Sequence, residues 1–101
     1  MKFYMIYEVM VLEKRAVVSV VGKDQVGIIA EVTEILSENN INILDISQTI
    51  LQEFFTMMMI VDVSKNEDLE QLEKQFDGVR QEMNLQIHIQ LEEIFKTMHR
   101  V

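Results

Sequence analysis

The 101-residue sequence contains no cysteine, no proline and no tryptophan, and only three glycines. Without cysteine there is no disulfide bond, no thiolate metal site and no cysteine nucleophile. This usage fits a cytoplasmic protein, which is the location we predict. Proline is absent and 49% of the residues are hydrophobic, so the sequence is not that of a linker or a disordered region.

Basic residues are also scarce, because nine lysines and arginines stand against 17 aspartates and glutamates, a formal net charge of −8. Such a surface repels the phosphate backbone that supplies most nucleic-acid affinity, and it repels anionic lipids as well. No apolar run reaches the roughly 20 residues that a membrane-spanning helix needs. We therefore expect neither nucleic acid nor a membrane as a direct partner.

Residues 1–15 are predicted to be an N-terminal extension. The run from Met1 to Leu12 is largely apolar, but Glu8 interrupts it. The charged residues 13–15 follow where a small-residue cleavage site would be expected, which argues against a signal peptide. Met10 is an alternative start, in which case the first nine residues would be an upstream extension.

Hydrophobic periodicity predicts six regular elements in the rest of the chain. β-branched, alternating or aromatic runs indicate four strands, and apolar spacings of three and four residues indicate two helices. Their order is strand 16–21, helix 28–38, strand 43–51, strand 54–63, helix 69–83 and strand 85–91. This βαββαβ order predicts a ferredoxin-like α+β sandwich, a four-stranded antiparallel sheet with two helices on one face. One domain, 16–101, is expected.

A short C-terminal helix, 92–101, is predicted to pack back on this domain. It places four apolar residues on one helical face: Ile94, Phe95, Met98 and Val101. Gly78 inside the second helix is unfavourable by about 1 kcal/mol relative to alanine. We interpret it as the mark of a close approach to the sheet, with an exposed and tolerated position as the alternative.

Two helices cover only one face of a four-stranded sheet, so the other face needs an explanation. The polar sets of the second and fourth strands are expected there. The third strand is apolar on both parities, with Phe54, Met58 and Ile60 on one and with Phe55, Met57, Met59 and Val61 on the other. A two-sided strand of this kind is typical of sheets that pack against another subunit.

The βαββαβ architecture hosts unrelated functions, each of which requires its own residues. A metal-carrying version needs Cys-x-x-Cys, an RNA-recognition version needs basic charge and an RNP-type aromatic sequence, and an acylphosphatase needs an arginine in the first loop. A P-loop needs Lys and Ser/Thr where Ile28 and Ile29 stand. His88 and His99 are interpreted as solvated histidines. No catalytic residue, metal ligand or cofactor is predicted, and no enzymatic activity is expected.

The first loop, 22–27, is the remaining candidate site. Asp24 is predicted to cap the following helix through its carboxylate, and Gly27 lets the backbone approach a ligand closely. Free N–H groups at the helix N-terminus favour a carboxylate, while Asp24 suits an ammonium group. Together these features suit an amino acid. The alternative is an ordinary strand-to-helix turn that binds nothing.

The loop and its surroundings resemble the ACT domain, a family of regulatory modules that bind amino acids in many metabolic proteins. The residues that carry the resemblance lie at 20–30 and 40–43, and the similarity covers about 16–91. The stretches 42–49, 54–57 and 94–98 are similar to short stand-alone ACT proteins of bacteria and archaea. They are also similar to the ACT domains of the glycine cleavage system transcriptional repressor.

The resemblance implies that a ligand sits between the first loop of one subunit and the second strand of its neighbour. The residues that would form this site are Asp24, Gln25, Val26 and Gly27, with Asn42 and Ile43 as the opposing wall. The common family loop reads Asp-Arg-Pro-Gly, so Gln25 and Val26 change its rigidity and charge. We expect a homodimer or higher homo-oligomer that binds an amino acid or similar small acid. The alternative is a ligand-free interaction module for a metabolic or regulatory partner.

Overall fold

The computed structural model describes residues 14–66 and 68–91. The elements follow the order β1 (Arg15–Lys23), α1 (Ile28–Glu38), β2 (Asn42–Leu51), β3 (Phe54–Asp62), α2 (Leu69–Met83) and β4 (Gln86–Leu91). Each predicted element is present, with bounds within two residues of the prediction. Most of the predicted N-terminal extension and the predicted terminal helix 92–101 lie outside the described residues.

The four strands form one antiparallel sheet in the order β2-β3-β1-β4. Val18 in the middle of β1 lies opposite Met59 on β3 and Ile89 on β4. The register of β2 on β3 shifts between Ile43 and Asp45. This arrangement confirms the predicted ferredoxin-like sandwich and makes β2 and β4 the two edge strands.

The helix ends follow local sequence signals. Asp68 caps α2, since its carboxylate accepts the Gln71 N–H at 3.0 Å, and the left-handed Asn84 (φ 54°) ends it. At the end of α1 the side-chain amide of Asn39 donates to the Ile35 carbonyl and to the Gln75 side chain, both at 2.7 Å. Neither helix in the described ranges has the length and apolar content to cross a membrane.

One core fills the space between the helices and one face of the sheet. Alternate residues of the strands supply the buried set Ala16, Val18, Val20, Phe55, Met57, Met59, Val61 and Ile87. The helices supply Ile28, Val32, Ile35, Leu36, Leu72, Phe76 and Val79. Burying each large aliphatic or aromatic side chain contributes about 1.5–3 kcal/mol, so this layer holds the fold together.

The other parity of β3 points away from the helices. Phe54 and Met58 are 56% and 49% exposed, and Ile60 is half-buried. The prediction that β3 presents apolar groups to both sides is therefore confirmed.

The interpretation of Gly78 as a close approach to the sheet is wrong. A Cβ atom at Gly78 would meet nothing within 4 Å, and the residue is exposed on α2. The close approach is instead at Gly22 in β1. There a Cβ atom would lie 2.5 Å from Cδ2 of Leu85 and 3.4 Å from the Asn84 carbonyl oxygen.

Gly78→Ala is expected to raise the free energy of unfolding by up to about 1 kcal/mol, because alanine loses less backbone freedom in a helix and meets no neighbour here. Urea unfolding followed by circular dichroism tests this through a higher midpoint at an unchanged slope. A lower midpoint would contradict the open surroundings of Gly78.

Candidate functional site

The loop between β1 and α1 is tied to two distant parts of the fold. The Asp24 N–H donates to the Glu53 carbonyl in the β2–β3 turn at 2.8 Å. The side-chain amide of Gln25 donates to the Met83 carbonyl at the end of α2 at 2.9 Å. Val26 at the tip is 98% exposed. The loop is thus anchored to the β2–β3 turn and to the end of α2, while its tip faces solvent.

The start of α1 differs from the prediction that the Asp24 carboxylate caps it. The N-cap residue is Gly27, in the left-handed region at φ 96°, and no side chain caps the helix. The Gly27 carbonyl accepts the Glu31 N–H at 2.9 Å. Capping by Asp24 is therefore wrong, because the chain makes its turn three residues later, where only glycine adopts this φ without strain. Within the described residues the Asp24 carboxylate is exposed and has no hydrogen-bond partner.

Asn42 and Ile43, the predicted opposing wall, begin β2 and line an open groove of about 850 Å³ beside α1. Its polar lining includes Asp62 and Lys65. The hydroxyl and the N–H of Ser64 donate to the Asp62 carboxylate and hold its pKa below the usual value. Asp62 is therefore negatively charged at neutral pH.

The two predicted halves lie at opposite ends of the sheet in one chain. Lys23, which precedes the loop, lies opposite Phe54, and Phe54 lies opposite Leu51 at the end of β2. Asn42 lies at the other end, in register with Asp62 and, through it, with the start of β1. The eight steps between the first and last of the nine residues of β1, at about 3.3 Å each, separate these ends by roughly 26 Å. The structure therefore does not bring the two halves together within one protomer.

The edge strand β2 presents a surface that periodicity alone did not reveal. Ile46 and Ile50 lie on the helix side of the sheet, opposite the buried Met59 and Phe55. They are nevertheless 45% and 53% exposed. All ten residues of β2 except the half-buried Ile43 are exposed. We call the outer backbone of β2 with Ile46 and Ile50 the β2 edge.

The opposite edge strand, β4, is covered differently. Arg80 from α2 donates through Nε and Nη2 to the Ile87 carbonyl of β4 at 3.0 and 2.6 Å. Asp77 and Glu73 hold the guanidinium through contacts of 2.6 and 3.2 Å. A backbone acceptor on this six-residue strand is thus occupied by a side chain, whereas an unprotected edge is a template for pairing.

The described residues contain no group of three or more His, Asp or Glu that could hold a metal ion. Each buried side-chain polar atom in the same ranges has a hydrogen-bond partner. His88 is exposed on β4, and His99 lies outside the described residues.

Comparisons of sequence and of structure with known proteins identify the same family. A family model described as the ACT domain matches residues 14–90. A UPF0237 protein of Methanocaldococcus jannaschii is 48% identical over 88 residues, which cover 86% of this chain and 98% of that protein. An ACT domain protein from Streptococcus pneumoniae, with a solved structure, is 43% identical, with a TM-score of 0.70 over 81% of this chain and 93% of that one.

A more distant structure, of a candidate glycine cleavage system transcriptional repressor, is similar in fold. It is 23% identical, with a TM-score of 0.67 over 79% of this chain and 46% of that chain. This comparison bears on the fold alone. Both groups of proteins that the sequence resembles are therefore found among the matches.

Proposed function

Because this chain belongs to the ACT domain family, we propose that it is a regulatory module that binds an amino acid or similar small acid between two copies of itself. The observation that carries the proposal is the placement of the two half-sites at opposite ends of a sheet whose β2 edge is uncovered. A site divided in this way is completed by a neighbour.

Pairing of β2 with the β2 of a second copy completes the site geometrically. In an antiparallel pair related by a twofold axis, the start of one strand lies beside the end of the other. The neighbour's Asn42 and Ile43 would then lie beside Leu51, at the end of the sheet where Asp24 bonds to the β2–β3 turn. A single pairing of two β2 strands would therefore bring the first loop of each copy close to Asn42 and Ile43 of the other copy, which gives two sites in the pair.

The chemistry of the combined site suits a zwitterion. The first-turn N–H groups of α1 carry partial positive charge and favour a carboxylate. The exposed carboxylate of Asp24 suits an ammonium group, and Asn42 adds an amide that both donates and accepts. The bond from Gln25 to the Met83 carbonyl restrains the loop, a restraint that proline gives in the common family loop.

One feature favours the second candidate function, a ligand-free interaction module for a metabolic or regulatory protein. Val26 is 98% exposed at the tip of the loop. An apolar group in this position suits contact with a protein surface better than contact with a charged ligand. The predicted cytoplasmic location is common to both functions.

Thermal unfolding against each of the twenty amino acids separates the two functions. A ligand present at about 100 times its Kd adds about 2.7 kcal/mol to the stability of the folded state. For a domain of this size, that raises the Tm by several degrees or more. We expect a rise for one amino acid or a small group of them, and we expect Asp24→Ala to abolish it.

The matched control is Glu70→Ala, which removes an exposed carboxylate from the first turn of α2, away from the loop. This variant is expected to keep the rise. A panel without any rise would contradict ligand binding and favour the interaction module. A rise that survives Asp24→Ala would place the ligand elsewhere.

A further inference from the structure

The sheet face opposite the helices carries an apolar stripe along its two central strands. Val17 and Val21 of β1 and Phe54, Met58 and Ile60 of β3 form it, and we call these five residues the open-face stripe. The small polar residues Ser19 and Thr56 lie between them on the same face. Val21, Phe54 and Met58 are 39%, 56% and 49% exposed.

Polar side chains flank the open-face stripe on both sides. The same face of β2 presents Asp45, Ser47 and Thr49, with the apolar Leu51 at its end beside Phe54, and that of β4 presents Gln86, His88 and Gln90. Strands lie about 4.8 Å apart, so two strands make a stripe about 10 Å wide, the diameter of one α-helix. A second sheet packed here would contact all four strands and would bury the polar flanks. The pattern therefore fits a single amphipathic helix.

We propose that the chain's own C-terminal segment, 92–101, docks as a helix on the open-face stripe. β4 ends at Leu91, opposite Ala16, so the segment begins beside Val17 at one end of the stripe. Its apolar residues Ile94, Phe95, Met98 and Val101 share one helical face.

The length of the segment matches the stripe. Ten helical residues span about 15 Å, and the four steps from Val17 to Val21 span about 13 Å. Met98 lies seven helical residues beyond Leu91, a rise of about 10 Å, or three strand residues. Three residues beyond Ala16 is Ser19, whose partner on β3 is Met58. Docking therefore sets Met98 over Met58.

A pair of cysteines tests this placement, and the sequence contains no other cysteine to interfere. Mild oxidation of full-length Met58→Cys/Met98→Cys at low protein concentration is expected to form a disulfide within one chain, read as loss of free thiol without a dimer band. The control Ser37→Cys/Met98→Cys places its first thiol on an exposed position of α1, across the sheet, and should stay reduced. Free thiols in the first variant, or disulfide-linked dimers from Met58→Cys alone, would overturn the proposal.

Thiol labelling gives a second, independent measurement. The Met58→Cys thiol should react at least about tenfold faster in a Phe95→Asp background, which is the factor that a docking free energy of about 1.4 kcal/mol provides. The Ser37→Cys thiol should react at the same rate in both backgrounds. Equal rates at Met58→Cys would contradict docking. Protection lost only with Phe3→Asp would assign the stripe to the N-terminal residues instead and overturn the proposal as well.

Discussion

Gly22→Ala is expected to lower the free energy of unfolding by about 1–3 kcal/mol, because the added Cβ atom overpacks a closed contact. It would lie 2.5 Å from Cδ2 of Leu85, a side chain that is 5% exposed and has little room to move. The same Cβ atom would lie 3.4 Å from the backbone carbonyl oxygen of Asn84, which is an ordinary van der Waals contact, so the clash is with Leu85. Urea unfolding measures the loss as a lower midpoint.

Two further variants identify the cause of this loss. Gly78→Ala makes the same chemical change at an open position, and its midpoint should move the other way. The Gly22→Ala/Leu85→Val double variant should lose less stability than the sum of the losses of the two single variants, because the shorter valine side chain makes room for the added Cβ atom. If the two single changes in the free energy of unfolding are additive, the added Cβ atom at position 22 does not clash with Leu85.

If two copies pair through β2, as we propose, Ile46→Lys/Ile50→Lys is expected to convert the dimer to a monomer. A half-exposed isoleucine gains about 1 kcal/mol when an interface buries the rest of it, and twofold symmetry counts each of the two residues twice. The sum of about 4 kcal/mol corresponds to roughly a thousandfold increase in Kd. Sedimentation equilibrium measures this increase, and circular dichroism shows whether each monomer stays folded.

The control for this prediction adds the same charges to the other edge strand. Gln86→Lys/His88→Lys should leave the dimer intact, since both positions are exposed on β4. If β2 pairing completes the ligand site, the Ile46→Lys/Ile50→Lys variant should also lose any rise in Tm caused by an amino acid. A monomeric unmodified protein at high concentration would contradict β2 pairing itself.

The fold was predictable because each element carries a clear period. The nearly continuous apolar run of β3 indicates a strand that presents apolar groups to both sheet faces, and the burial of Met57 and Met59 beside the exposed Met58 agrees with it. The three- and four-residue spacings of α2 gave its ends correctly, from Leu69 to Met83. Local patterns of this kind depend on the chain itself and need no knowledge of its neighbours.

The incorrect predictions concern relations between elements. Gly78 and Gly22 cannot be ranked from sequence, because the contact that matters is between β1 and the residue that precedes β4. The alternation in β2 is typical of a strand with one buried face, but Ile46 and Ile50 are exposed because the strand lies at an edge. Strand order does not follow from periodicity.

The candidate site was predictable only in part, and for a similar reason. Residue chemistry indicated the loop around Asp24, whereas Asn42 and Ile43 came from the resemblance to a family. Only the register of the sheet shows that loop and wall lie at opposite ends of one chain. The helix start at Gly27 depends on a backbone angle that an Asp-x-x-Gly pattern does not determine.

The guanidinium of Arg80 on the Ile87 carbonyl has a consequence for the size of the assembly. A sheet with two unprotected edge strands could pair with another copy at each edge and extend into an open-ended assembly. Here the Arg80 guanidinium occupies one backbone acceptor of the β4 edge, the Ile87 carbonyl, and so disfavours pairing at that edge. If two chains pair through β2, as we propose, the assembly is expected to stop at a closed dimer.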